Sequence, residues 1–148
     1  MAYEDAVRRE LKRLRGASSR QLREYDRRLA ARRIEWYRVQ GRDLDLGKGD
    51  VTERAYRLLL LKLGIAEAEA PIVRREQGRI TFHSKNPCPT LEACLMLGLD
   101  TRRICRLSSE GATNALIRQI DPKLSFGRNY RKIRPHSQYC EERIEYEQ

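Results

Sequence analysis

The stretch LSFGRNYRKIRPHSQYCEERIEY, residues 124–146, decides the fold. Its first part sets Leu124, Phe126, Arg128 and Tyr130 against Ser125, Gly127 and Asn129. Its last part sets Cys140, Glu142, Ile144 and Tyr146 against Tyr139, Glu141, Arg143 and Glu145. A period of two sends each set to one face of a strand. Two strands joined through a turn near Pro135 are therefore predicted. If the apolar sets face a core, Arg128, Cys140 and Glu142 turn inward with them.

Upstream, Ile72–Arg75, Glu76-Gln-Gly78 and Arg79–Phe82 read as a hairpin, with Gly78 supplying the positive φ of a tight turn. Between the two strand pairs the apolar spacing is helical. Thr90 is the expected cap of a helix through Leu91, Cys94, Leu95 and Leu97 to Gly98. Asp100 caps the next, with Ile104, Cys105 and Leu107, and Ala115–Ile120 forms a short third helix after a Ser108–Gly111 break. Before residue 67 the chain is helical throughout. Tyr3, Val7, Leu11 and Leu14 form one stripe, and Ser18 with Gln21 signals a capping box. Asp50 with Glu53 starts a helix whose Leu58–Leu61 run predicts a central buried element, ended by Gly64. The class that follows is α+β: N-terminal amphipathic helices pack with further helices on one face of an antiparallel sheet of about four strands.

A chain of 148 residues fits one domain, a basic helical part at 1–66 and a cysteine-bearing α+β part at 67–148. The longest apolar run, Leu58–Leu61, is far short of the roughly 20 residues a membrane span needs. Met1-Ala-Tyr-Glu-Asp5 lacks the pattern of a secretion signal, so a cytoplasmic protein with no membrane partner is expected. In that compartment the four cysteines stay reduced. The net charge of +10 is concentrated in residues 8–33, where eleven Arg or Lys stand against three acids. This block is either a solvated helix face or a surface for phosphates such as those of nucleic acid, for an acidic partner or for an anionic membrane surface. Aromatic residues suited to base stacking are few there, Tyr25, Trp36 and Tyr37, so nucleic acid is not the favoured reading. The Trp36 and Tyr37 face offers a surface for a protein partner or a second copy of the chain.

All four cysteines and both histidines lie between Phe82 and Tyr146. The order is His83-x4-Cys88-x5-Cys94-x10-Cys105, with His136-x3-Cys140 downstream. Paired C-x-x-C spacing is absent, yet zinc needs only three or four N/S ligands that converge in space. Cys88, Cys94, Cys105, Cys140 and His83 are thus candidate zinc ligands, the alternative being ordinary buried thiols. Cys88 stands between Pro87 and Pro89 near a helix N-terminus, where the dipole favours a thiolate. It is a candidate nucleophile, with His83 or His136 as its base, or a loop thiol without a task. Arg128 either clamps a ligand carboxylate or pairs with Glu142, and Glu142 either moves a proton or serves as that partner.

Asn86-Pro-Cys88-Pro, the helical Cys105, Asp121-Pro-Lys-Leu124-x-Phe126-x-Arg128 and Tyr139-Cys-Glu-Glu-Arg-Ile144 together resemble the C-terminal half of two related groups. These are the L-2-amino-thiazoline-4-carboxylate hydrolase-like family and the vinyl-4-reductase-like sensor domains. The resemblance covers roughly residues 80–146. It implies a small-molecule pocket between helices and sheet, with zinc on Cys88 or Cys94, Cys105 and Cys140 in the sensor-like case. In the hydrolase-like case it implies opening of a thiazoline ring, a cyclic amidine, by water, with Cys88, Cys105 and Cys140 at the matching places. There Arg128 and Tyr130 would hold the substrate, and Cys88, Glu142 and His136 would serve catalysis. The chain departs from the sensor pattern at Tyr130, where those domains carry a cysteine.

Overall fold

The computed structural model describes residues 2–147. Six α-helices and four strands follow in the order α1 (Tyr3–Leu14), α2 (Ser19–Val39), α3 (Val51–Leu63), β1 (Ile72–Glu76), β2 (Arg79–Ser84), α4 (Pro89–Leu97), α5 (Thr101–Ser108), α6 (Glu110–Ile117), β3 (Leu124–Arg128) and β4 (Cys140–Tyr146). The class is α+β, as the sequence predicts. The strands form one antiparallel sheet of order β1-β2-β4-β3, so the final strand is inserted between the hairpin and β3. No helix among the described residues is long and apolar enough to cross a membrane.

The helix ends follow local chemistry. Ser18 Oγ accepts from Gln21 N at 3.1 Å, while Gln21 Oε1 accepts from Ser18 N at 2.9 Å, completing the capping box of α2. Asp50 Oδ1 accepts from Glu53 N at 3.0 Å at the start of α3. At its other end Gly64 adopts φ 68°, a left-handed cap that L side chains resist. The expected break at Ser108–Gly111 is tighter than the sequence suggests, because α6 begins at Glu110 and takes Gly111 into its first turn. A Cβ at Gly111 would overlap the Asp26 carboxylate, whose Oδ1 accepts from Ala112 N at 2.9 Å. Glycine here lets α6 close on α2.

Two hydrophobic clusters result. The larger joins α3, α6 and the inner sheet face through Tyr56, Leu58, Leu59, Phe82, Leu116, Phe126 and Ile144. The smaller joins α1, α2, α4 and α5 through Leu14, Leu22, Ala93, Cys94 and Ile104. Leu61, the last residue of the apolar run in α3, is instead 54% exposed. Four consecutive leucines cannot all face one side of a 3.6-residue helix.

Candidate functional site: a thiol cavity beside a buried ion pair

The register of the sheet brings the inward polar residues together. Arg128 faces Glu142, Glu142 faces Phe82, and Cys140 faces Ser84. Arg128 Nε donates to Glu142 Oε2 at 3.0 Å, and Ser84 Oγ donates to Glu142 Oε1. Both side chains of the ion pair are only 12–13% exposed. Burial disfavours the Arg128 charge, but Glu142, together with Cys105 and Tyr130, outweighs it and holds the guanidinium protonated. Of the two readings of these residues, the structure shows the cross-strand pair.

That pair does not use all of Arg128. Its Nη1, sealed from solvent, has no hydrogen-bond partner, and neither does the buried hydroxyl of Tyr130 two residues on. Burial, with a smaller push from the nearby Glu110 carboxylate, drives the Tyr130 hydroxyl up to about 12 against the pull of Arg128, so it stays protonated at neutral pH. Buried donors without acceptors are rare and costly.

Arg128 also walls a small cavity of about 30 Å³ lined by Cys88, Cys105, Cys140, Thr101 and Arg134. Three thiols far apart in the chain thus border one space. Cys88 is the N-cap of α4, where its Sγ accepts from Leu91 N at 3.4 Å. The helix starts earlier than expected: Thr90 lies inside its first turn and donates to Glu10 Oε1 at 2.6 Å, tying α4 to α1. Burial nevertheless raises the Cys88 thiol, outweighing the Leu91 N–H and Arg134, so the expected thiolate is not favoured. Cys105 is pushed up to about 11 by burial, with Arg128 opposing. Cys140 Sγ accepts from Arg134 Nε and from the Arg134 backbone N–H, each at 3.4 Å.

The remaining site residues lie elsewhere. Cys94 is 1% exposed in the smaller core, and burial pushes its thiol up to about 12. It is packing, not part of the cavity, because it points from α4 toward Leu14 and Leu22. His83 alternates onto the outer sheet face, where its ring stacks on Tyr139 with centroids 3.8 Å apart and Nε2 lies 3.0 Å from Glu141 Oε1. His136 is 3.7 Å from Asp100 on the surface. Neither histidine lines the thiol cavity, so neither is placed as a base for Cys88. Three sulfurs border the cavity, yet Cys140 is engaged by Arg134. Among the described residues no three His, Cys, Asp or Glu side chains converge as a metal-binding group.

Two residues of this region carry no signal in the sequence. Arg134, before Pro135, reads as a turn residue, but its Nη1 also donates to the Asn86 carbonyl at 2.8 Å, and its own carbonyl accepts from Thr101 Oγ1. Arg33 reads as part of the solvated basic face. It is 8% exposed, donates to Thr113 Oγ1 at 3.1 Å, and is lowered to about 10 by burial and by the like charge of Arg128.

On the outer face, Asn129 Nδ2 donates to Glu141 Oε2 at 3.0 Å. That bond, with help from His83 and against burial, holds the Glu141 carboxyl below the ordinary glutamate range. A carboxyl depressed in the folded state contributes stability that is present above its unfolded pKa and lost as pH falls through its folded pKa. Glu141→Gln is therefore expected to flatten the acid limb of stability. Urea midpoints taken between roughly pH 6 and pH 2 read this directly, and an unchanged limb refutes it.

No family model, curated protein or solved structure matches this chain.

Proposed function

We propose that this protein is a small-molecule-binding module whose ligand presents a carboxylate to Arg128 and Tyr130. The observation that carries this is the pair of sealed, unpartnered donors, Arg128 Nη1 and Tyr130 Oη. A carboxylate offers two acceptor oxygens in one plane, which suits a guanidinium edge and a hydroxyl placed together. The adjoining thiol cavity would meet the rest of the ligand. At about 30 Å³ it has room for little more than water, so a ring enters only as the half-buried Leu91 and Arg134 side chains move. The resemblance to the thiazoline-carboxylate hydrolase-like family supplies a ligand of this kind, a small sulfur-containing ring with one carboxylate. Cys88 and Cys105 are held as neutral thiols and no histidine borders them, which favours binding over cysteine-based catalysis.

The test is calorimetry with 2-amino-thiazoline-4-carboxylate and with its decarboxylated analogue, alongside Tyr130→Phe. The acid is expected to bind, and the analogue to bind at least about tenfold more weakly. Tyr130→Phe should weaken the acid about five- to tenfold while leaving the free protein's melting temperature unchanged or higher, because the lost hydroxyl had no partner. Equal binding of both compounds, binding of neither, or a clear destabilisation by Tyr130→Phe would refute the proposal. Metal analysis of the same preparation separates it from a zinc-dependent site.

A further inference from the structure

The helices cover one face of the sheet and leave the other open. Across that open face the register aligns Arg74 with Thr81, Thr81 with Arg143, and Arg143 with Gly127, one residue from each strand. A groove of about 460 Å³ runs there, edged by Arg74, Arg79, Arg106, Arg131 and Arg143. Gly127 has a specific part in its shape. A Cβ at that position would stand 2.8 Å from Arg143 Nη2 and 2.9 Å from its Cζ, so glycine lets this guanidinium lie flat over β3.

The charge on this face is only partly cancelled. Arg79 and Arg143 share one carboxylate, Glu145, at 3.6 and 2.8 Å. Arg74 pairs with Glu76 at 3.3 Å, and Glu141 is taken by His83 and Asn129. Arg106 rests on the Tyr130 ring, 4.3 Å from its centroid, and Arg131 is exposed; neither has a carboxylate partner among the described residues. Two aromatic side chains accompany the groove: Tyr130 lines it with Arg106 over its ring, and Tyr139, stacked on His83, stands next to it on the same sheet face beside the lining residue Glu141.

We infer that this open sheet face binds single-stranded nucleic acid. Guanidiniums from β1, β2 and β4, with Arg106 of α5 and Arg131 after β3 beside them, suit a phosphate backbone, and unstacked bases gain by lying on aromatic faces. The aligned row carries no large apolar side chain of the sort that anchors a protein interface. This locates a nucleic-acid surface away from residues 8–33, where the sequence places the charge but few aromatics. The groove also borders Arg128 and Tyr130, so the variants that test it, at Arg131 and Tyr139, lie outside the proposed carboxylate site.

Fluorescence anisotropy of the full chain with a labelled oligouridine of about 12 nucleotides tests it. Binding is expected at low salt, with affinity falling linearly in log–log form as salt rises. Arg131→Gln should reduce that slope by about 0.7, while Arg20→Gln, the same charge change on the exposed side of α2, should leave it unaltered. Tyr139→Leu should weaken binding about tenfold or more, and Tyr139→Phe should retain it. Absence of binding at low salt overturns the inference, as does an Arg20→Gln effect equal to that of Arg131→Gln. So does a duplex of the same length bound as tightly as the single strand.

Discussion

Glu142→Gln is expected to cost about 3–5 kcal/mol of folding stability, far more than an ordinary polar substitution. The reason lies in what it leaves behind. Arg128 would keep its positive charge, with Nη1 already lacking a partner and its counter-charge removed. An uncompensated buried charge must either stay at high cost or drag water into the core. Ser84 would keep only a weaker, uncharged acceptor, since Glu142 Oε1 now accepts its hydroxyl hydrogen bond as a carboxylate. The double change Arg128→Met with Glu142→Leu removes both charges and should recover most of the loss, because a buried pair is seldom worth its own desolvation. Urea unfolding of the wild type, the single variant and the double variant distinguishes the outcomes. A single-variant loss below about 1 kcal/mol would mean that the pair is hydrated.

The fold was legible in the sequence where one residue type settles one local geometry. Alternation from Leu124 to Arg128 and from Cys140 to Tyr146 predicted β3 and β4, and the capping box at Ser18 and Gln21 predicted the start of α2. What the sequence could not carry was the sheet order. Nothing in residues 140–146 says that β4 pairs with both β2 and β3, yet this insertion is what sets Cys140 opposite Ser84 and Glu142 opposite Phe82. Site residues divide along the same line. Period two places Arg128, Glu142 and Cys140 inward and His83, one residue past the inward Phe82, outward. Cys94 and Cys105 are both on apolar helix faces, so only the packing of α4 against α1 separates a core thiol from a cavity thiol. Arg33 and Arg134 are polar in composition and buried in fact. Their partners, Thr113 and Asn86, are too distant in the chain for spacing to reveal them.

The open and covered faces of one sheet also account for two kinds of chemistry in so small a chain. Residues of even number in β4 look into the core and residues of odd number look out, so Glu142 stabilises a buried guanidinium while its neighbour Arg143 lies over Gly127 at the surface. Thr81 illustrates how dense the outer layer is. It points away from the core and is still only 4% exposed.

Phe82→Ala is expected to cost about 3–5 kcal/mol through lost burial and the cavity left behind. Phe82 is 1% exposed, and its ring meets Tyr56 edge-on with centroids 5.1 Å apart. Tyr56 cannot readily follow into the gap, since its hydroxyl donates to the Ala70 carbonyl at 2.6 Å. The new space would join an existing void of about 30 Å³ bordered by Leu59, Phe126, Arg128 and Glu142. Enlarged in this way, the void has room and polar partners for water. Water there solvates the ion pair, so losing Glu142 should matter less once Phe82 has been truncated. The combined loss of Phe82→Ala and Glu142→Gln should fall short of the sum of the single losses by about 0.5–3 kcal/mol. Leu14→Ala, in the smaller cluster with α4, serves as the control and should add to Glu142→Gln within about 0.5 kcal/mol. Additivity in both cycles would show that the cavity stays dry and that the ion pair draws nothing from the packing around Phe82.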